Sequence, residues 1–295
     1  MWVIKMNKRP NISILIGLPG SGKSTYALSE SIEGIYLSSD KIRKELYGDE
    51  SIQGNPEDIF GLMQYRALSF LRKGIDVIYD ATNIVRKDRV TFISKLPKDC
   101  FVTAKIIWQS IEKCIENDFA RERTVGKQII ERMAKRFQAP WYDEGFDSIE
   151  IHRNFSKQDF ENYTNKVFED LDIPHDNSHH VGTIKEHSLS CYKNMLNLTN
   201  EEVLIEAAKY HDIGKPFCKS FKNTKGEDSI EAHYYDHQNV GAWMSYGLSR
   251  KNTFYRAWLI NHHMAPFLNA KYLKTIPDHL KEDILLLHEA DKNAC

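Results

Sequence analysis

Cysteine is scarce in this chain of 295 residues and widely scattered: Cys100, Cys114, Cys191, Cys218 and Cys295, with no C-x-x-C pair. That spacing offers no disulfide framework and suits reduced thiols inside a cell. Long apolar runs are missing as well. None approaches the roughly 20 residues that cross a bilayer. The N-terminus carries Lys5, Lys8, Arg9 and Pro10 where a signal peptide needs an unbroken apolar stretch. Net charge is almost nil, 40 basic against 41 acidic side chains, so any site for a polyanion must be a local basic patch. Internal repeats and low-complexity tracts are absent. These absences point to a cytoplasmic protein with no membrane partner.

What is present is alternation, then a change of rhythm. Asn11–Ile16 is a β-branched run ending at Gly17, which reads as a buried strand, and a helix is expected from Lys23 to about Ser31. Ile35–Leu37 predicts a second strand, closed by Ser38-Ser39-Asp40. Pro56 and Gly74 bracket a helix through Ile59, Met63 and Phe70. Ile75–Tyr79 predicts a third strand, closed by Asp80-Ala81-Thr82-Asn83, with Phe101–Trp108 a fourth and Ile149–His152 a last one. Strands alternating with helices imply a parallel sheet covered on both faces. From Ser156 the periodicity is helical, with no convincing strand. Ser156–Ile173 reads as a connecting helix, and Pro174 begins a compact all-α region. The length suits two domains: an α/β domain over 1–155 and an all-α helical bundle over 156–295.

Gly17-Leu18-Pro19-Gly20-Ser21-Gly22-Lys23-Ser24-Thr25 matches the phosphate-cradling loop G-x-x-x-x-G-K-[ST] at every fixed position. Backbone N–H groups of such a turn and the helix that follows make a positive cup for nucleotide phosphates. Lys23 would reach the β- and γ-phosphates and Ser24 would hold Mg²⁺, so ATP or another nucleoside triphosphate is expected. Asp40 lies just beyond the second strand, where a parallel sheet presents ligands. A carboxylate there can take a proton from an incoming hydroxyl, and Arg43 can hold an acceptor phosphate; alternatively Ser39 or Asp40 merely caps the next helix.

This ordered set resembles the phage and bacterial 5′-OH polynucleotide kinases: the loop, Asp40 with Arg43, Asp80 to Asn83 with Arg89, then Arg121-Glu122-Arg123-Thr124-Val125 and Glu144-Gly145-Phe146-Asp147. The resemblance covers about residues 11–150. It implies an α/β P-loop kinase domain in which Lys23 and Ser24 bind ATP and Mg²⁺, Asp40 is the general base, Arg43 contacts the acceptor phosphate, and Arg121 or Arg123 clamps the donor. The basic residues from Arg121 to Arg136 read either as a solvated helix face or, with Phe119, Phe137 and Trp141 among them, as the lining of a strand channel.

A second chemistry is written in the last 120 or so residues. His211-Asp212 sits among His187, His237, His262, His263 and Asp291, nitrogen and oxygen ligands suited to borderline divalent metals. Ile213-Gly214-Lys215-Pro216 ends a helix just after the pair. Two imidazoles and two carboxylates, His187, His211, Asp212 and Asp291, would hold one ion with positions open for water and substrate. The order resembles the HD-type metal phosphohydrolases. That resemblance implies one or two transition metals such as Mn²⁺, Ni²⁺, Co²⁺ or Fe²⁺, with Asp212 bridging, His237 and His262 on the second ion, and Lys215 steering a phosphate. Thr183 stands where three-ion members carry a glutamate. The stretch His175-Asp176-Asn177-Ser178-His179-His180 resembles the HD domain of bacterial CCA-adding tRNA nucleotidyltransferases, with its histidines as loop or pocket-rim residues.

The two resemblances together imply a bifunctional nucleic-acid end-healing enzyme, acting on RNA in preference to DNA. One domain would phosphorylate a 5′-OH, and the other would remove a 2′,3′-cyclic or terminal phosphate. Two alternatives are a small-molecule nucleotide or nucleoside kinase joined to a nucleotide phosphohydrolase, and a hydrolase gated by a nucleotide-sensing P-loop module.

Overall fold

The computed structural model describes residues 9–29, 34–153, 155–178, 182–249, 251–268, 273–274 and 276–294. They fold as two units. The described residues up to Ile130, with Pro140–Arg153, make the first; Glu131–Ala139 and the described residues beyond Arg153 make the second.

The first unit is a five-stranded parallel sheet in the order β2-β3-β1-β4-β5, formed by β1 Asn11–Ile16, β2 Ile35–Ser38, β3 Val77–Asp80, β4 Phe101–Trp108 and β5 Ser148–Arg153. Helices α1 Lys23–Ser29, α2 Ser39–Tyr47, α3 Pro56–Leu71, α4 Arg86–Ile93 and α5 Ile111–Phe119 alternate with the strands. Parallel strands buried on both faces carry near-continuous apolar runs, and β1 does so from Ile12 to Ile16, broken only by Ser13. Leu15, Ile78 and Ile107 pack with Tyr26 and Ala27 of α1, which fixes α1 against the sheet. The chain leaves β1 between β3 and β4, a switch in strand order that opens a crevice at the carboxyl ends. This architecture fits a P-loop kinase domain. β3 begins two residues later than the Ile75 start and runs on to Asp80, so Asp80 is a strand residue rather than the first of a turn.

Arg89, part of the kinase-like motif set, has a structural place. Its guanidinium is buried and paired in a fork with Glu144, at 2.7 and 2.6 Å, while Nη1 donates to Asn83 O at 3.0 Å. Removing Glu144 alone would strand a buried charge, a loss of about 3–5 kcal/mol.

Helix α6, Lys127–Ala134, contributes to both units. In the second unit, α7 Lys157–Glu169 starts at a capping box of Ser156 and Asp159. Then come α8 Ile184–Leu198, α9 Glu202–Tyr210, α10 Lys215–Cys218, α11 His237–Ser245, α12 Thr253–His262, α13 Ala265–Leu268 and α14 Asp278–Lys292. Thr183 caps α8, accepting from Glu186 N while Glu186 reaches back to Thr183 N. That places His187 in the first turn and a half of α8. The all-α expectation needs one correction. Ser220–Lys222 (β6) and Asp228–His233 (β7) form an antiparallel hairpin. Its turn is closed by Asn223, whose side-chain oxygen accepts from Lys225 N and Glu227 N. The strand signal is inverted because Ile230, the apolar marker of β7, is 98% exposed. No described helix is long and apolar enough to cross a membrane.

Candidate functional site

The phosphate loop joins the end of β1 to the first residue of α1. Gly20 has φ +81°, and a Cβ there would lie 2.0 Å from Cys114 O, so the loop closes onto α5 only with glycine. Asn117 of α5 donates to Gly20 O at 2.8 Å, and Gly17 N donates to Thr82 O at 3.0 Å. Lys23 Nζ folds back to donate to Gly17 O at 3.0 Å and Leu18 O at 2.9 Å. Burial pushes its pKa down, against Asp80 and Cys114, and the nearby charge of Arg121 adds to the push. Ser24 and Thr25 are exposed at the start of α1, while Ser21 is buried in the loop. Ser24 Oγ donates to Asp80 Oδ2 at 2.9 Å, and Tyr36 OH donates to the same oxygen at 2.6 Å. Burial and the Asp80 charge raise Tyr36 to about 12. A hydroxyl beside a carboxylate at the edge of a phosphate loop is a hard-oxygen pair that fits Mg²⁺.

Asp40 is the second residue of α2, whose N-cap is Ser38. Its carboxylate is 49% exposed, with Arg43 Nη1 at 2.5 Å and Arg123 Nη1 at 3.3 Å from Oδ1. The two arginines of the 121–125 stretch therefore part company: Arg121 acts on the loop lysine, Arg123 on Asp40. Asp118 holds the turn behind them, its carboxylate accepting from Val125 N at 3.0 Å and Gly126 N at 2.9 Å. Asn117 and Asp118 were not among the sequence candidates. Their only mark is a polar pair ending an amphipathic helix before an arginine cluster. Phe137 does not line a channel. It is fully buried in the second unit, edge-on to Trp243 and Tyr246.

In the second unit a turn at 211–214 separates α9 from α10, and Gly214 lets it approach α11. A Cβ on Gly214 would lie 2.1 Å from His237 O. This contact sets His211-Asp212 beside the start of α11. Asp212 is buried and divides its oxygens. Oδ2 lies 3.2 Å from His211 Nε2 and 3.6 Å from His187 Nε2; Oδ1 lies 3.3 Å from His237 Nε2 and 4.0 Å from His263 Nε2. Asp291 of α14 completes the first group, with Oδ1 2.9 Å from His187 Nε2 and 3.4 Å from His211 Nε2. The ligand atoms fall into two trios, His187–His211–Asp291 and Asp212–His237–His263.

The first trio passes a test of fit, and the second is looser, at 3.2, 3.3 and 4.0 Å. An ion bound at about 2.0–2.2 Å needs ligand atoms about 3.0–3.5 Å apart, and the separations within the first trio run from 2.9 to 3.4 Å. Three imidazoles are also aimed. Nδ1 of His211, His237 and His263 donates to the carbonyls of Ala208, Tyr234 and Ile260 at 2.8, 2.8 and 2.7 Å. A carbonyl only accepts, so the proton sits on Nδ1 and the Nε2 lone pair points inward, the form that ligates metal.

Without an ion, the cluster draws a second proton to His211, where a cation would otherwise balance the two carboxylates. Burial works against charge on His211, yet Asp212, Cys191 and Asp291 raise its pKa well above the ordinary value. Burial likewise opposes ionised Asp212 and Asp291. His211 together with Lys215 holds the first far below the usual carboxylate range, and His211 with the His187 hydrogen bond does so for the second. Burial, with His237 and His211, pushes His263 down to about 3. Lys215 Nζ lies 2.7 Å from Asp212 Oδ2.

The sixth expected ligand is displaced by one residue. His262 donates from Nδ1 to Trp258 O and stacks on the Trp258 ring at 4.2 Å, while His263 takes the place beside Asp212. Successive helical residues point about 100° apart, so only one of the pair can face the centre. His175 is fully buried, its ring 5.6 Å from that of His187, rather than on a rim; His179 and His180 lie outside the described residues.

Residues 12–140 match a family model described as an AAA domain. No curated protein matches the sequence. Among solved structures, a chain of a Pnkp1/Rnl/Hen1 complex is similar at 23% identity and TM-score 0.35, covering 48% of this chain and 44% of its own. A chain of a Pnkp1/Rnl/Hen1 RNA repair complex gives 23% and 0.37, with 45% of each chain covered. A gluconokinase from Sinorhizobium meliloti 1021 gives 16% and 0.35, over 50% of this chain and 85% of its own. This chain spans less than half the length of the first two. The neighbours' descriptions differ, so function is read from this chain's own residues.

Proposed function

We propose that this chain is a bifunctional end-healing enzyme. Its first unit is an ATP-dependent 5′-OH polynucleotide kinase, and its second is an HD-type, metal-dependent phosphohydrolase acting on a 2′,3′-cyclic or terminal phosphate. The observation that carries the reading is Asp212, a buried carboxylate with one oxygen toward each of two imidazole-bearing trios.

In the kinase, Lys23 offsets negative charge on the transferring phosphoryl group, and Ser24 with Asp80 would hold Mg²⁺. Asp40 accepts the proton of the attacking hydroxyl. Arg43 holds the phosphate next to that hydroxyl by its planar fork. Arg121 serves the donor side and Arg123 the acceptor side. The half-exposed Asp40 carboxylate supports an acceptor reached from open solvent, such as a strand end, over a nucleoside enclosed in a pocket.

In the hydrolase, His187, His211, Asp212 and Asp291 would hold one ion, and Asp212, His237 and His263 a second. Divalent ions there supply a Lewis acid for a phosphoryl oxygen and lower the pKa of water. Lys215 neutralises Asp212 and can turn to a substrate phosphate. RNA is the preferred polymer, because a 2′,3′-cyclic end requires the 2′-hydroxyl.

The test is incubation of the full chain with ATP, Mn²⁺ and an RNA bearing a 5′-OH and a 2′,3′-cyclic phosphate, resolving the two ends separately. Phosphorylation of the 5′ end and opening or removal of the 3′ phosphate are both expected. Transfer to free nucleosides with no action on either RNA end would overturn the reading.

A further inference from the structure

Residues Glu131–Ala139 precede the rest of the second unit in sequence yet belong to it. Besides Phe137, two side-chain amides attach them. Asn261, buried in α12, accepts from Ala139 N at 3.0 Å and donates from Nδ2 to Asn239 Oδ1 at 2.8 Å. Asn239, in the first turn of α11, donates in turn to Lys135 O at 2.7 Å. Ala139 N–H can only donate, which fixes the Asn261 amide with its oxygen toward Ala139 and its NH₂ toward Asn239.

The placement of these amides is not neutral with respect to the metal-type ligands. Asn239 lies two residues after His237, and Asn261 two residues before His263. One hydrogen bond thus ties the helix start that carries His237 to the helix end that carries His263. Those two Nε2 atoms stand 3.2 Å apart and face Oδ1 of Asp212. The first trio draws on neither helix: His187 is on α8, His211 follows α9 and Asp291 is on α14. The amide pair therefore bears directly on the second trio, and α11 reaches the first only through its contact with the 211–214 turn.

We propose that Asn239 and Asn261, braced by residues 131–139, are positioning residues for the second ion. They hold α11 and α12 at the spacing at which His237 and His263 share one cation with Asp212. The proposal rests on the metal-centre reading above. Outer-shell partners of metal ligands typically contribute about 10–100-fold in affinity, and site geometry must hold within about 0.5 Å.

The experiment titrates Mn²⁺ into the full metal-free chain, wild type and variant, counting ions bound and the affinity of each. Asn261→Asp keeps an acceptor for Ala139 N but cannot donate to Asn239. Asn239→Ala removes the same link from the other side, so the two variants guard against misfolding of either. The wild type is expected to bind two ions. Each variant should keep one at unchanged affinity and bind the second about 10–100-fold more weakly, with phosphate hydrolysis lost at low Mn²⁺ and restored at high Mn²⁺.

Two ions at unchanged affinity in both variants would overturn the proposal. So would equal weakening of both ions in variants that melt at the wild-type temperature, since the amides would then serve the unit as a whole. A wild type that binds a single ion, lost in His187→Ala, also overturns it while leaving the first trio as a metal site. A wild type that binds none removes the metal-centre reading itself.

Discussion

Asp40 and Asp212 put the same functional group to different use. Asp40 stands half exposed between two arginines that reach it from separate parts of the first unit. Asp212 is buried and shared among four imidazoles and a lysine. Exposed ion pairs are screened and weak, so Asp40 can exchange its arginines for an incoming acceptor. A buried carboxylate surrounded by aimed nitrogens has no such freedom, and it needs a cation or a proton at all times. On the proposed function, the first site would admit a substrate group and the second would retain an ion.

The largest effect should come from Asp212→Ala. Phosphate hydrolysis should fall by more than about 100-fold, beyond the usual loss for outer-shell partners, with bound Mn²⁺ depleted and 5′ phosphorylation kept. Matched end-point assays on one RNA check this, and equal loss of both activities in a folded protein would abolish the contrast between the sites. Its counterpart is Asp40→Asn, which keeps shape but cannot take a proton. Transfer should drop about 10²–10⁴-fold while ATP binding and hydrolysis of the 3′ end persist; full transfer by this variant would reduce Asp40 to a helix residue.

The acceptor side can be sharpened through Arg43. Wild type should use adenosine 3′-monophosphate far better than adenosine, and Arg43→Ala should lose most of that preference, since one charge-assisted hydrogen-bond pair to phosphate is removed. Equal kcat/KM for both acceptors in wild type would point to a small-molecule kinase. A smaller comparison lies within the second unit. His263→Ala should weaken Mn²⁺ binding about tenfold or more, whereas His262→Ala should leave it nearly unchanged. The reverse ranking would mean that α12 presents its other histidine.

The least effect is on the pH dependence of the metal-free protein. His211 has a raised pKa, so its contribution to stability is complete below about 6.5 and is lost as pH rises through the higher folded value. His263 is lowered to about 3, so unfolding takes up a proton below about 6.5 and stability falls as pH drops toward 3. Asp212 and Asp291 are depressed, and their contribution, present above about 3.9, is lost only at still lower pH. Melting temperature in chelator should therefore peak near neutrality, and Mn²⁺ should flatten the alkaline arm by replacing the His211 proton. A flat profile in chelator from pH 6.5 to 9 would contradict this account.

Much of the first unit could be read before folding. The loop is contiguous, and its backbone carries the chemistry. β4 lies where its apolar run predicted, Phe101–Trp108. Less of the second unit was legible. Order along the chain brought out His187, His211, Asp212, His237 and Asp291, and the structure gathers them. The choice between His262 and His263 turned on where α12 ends, which a pair of identical residues cannot signal. The β6–β7 hairpin hid behind an exposed isoleucine, and Phe137 looked like part of a basic, aromatic face until its burial was known.

The sequence by itself determined the phosphate loop, the alternation that makes a parallel sheet, and the stock of metal-type ligands with their order. Each is carried by neighbours a few residues apart, within reach of local geometry. Tertiary structure decided the rest: Arg121 at the loop and Arg123 at Asp40, Asp212 divided between two trios, His263 in place of His262, and residues 131–139 enlisted by the second unit. These depend on groups dozens of residues apart, brought to within about 3 Å by helix packing, such as the Gly214 contact with His237, and no periodicity along the chain records such a meeting.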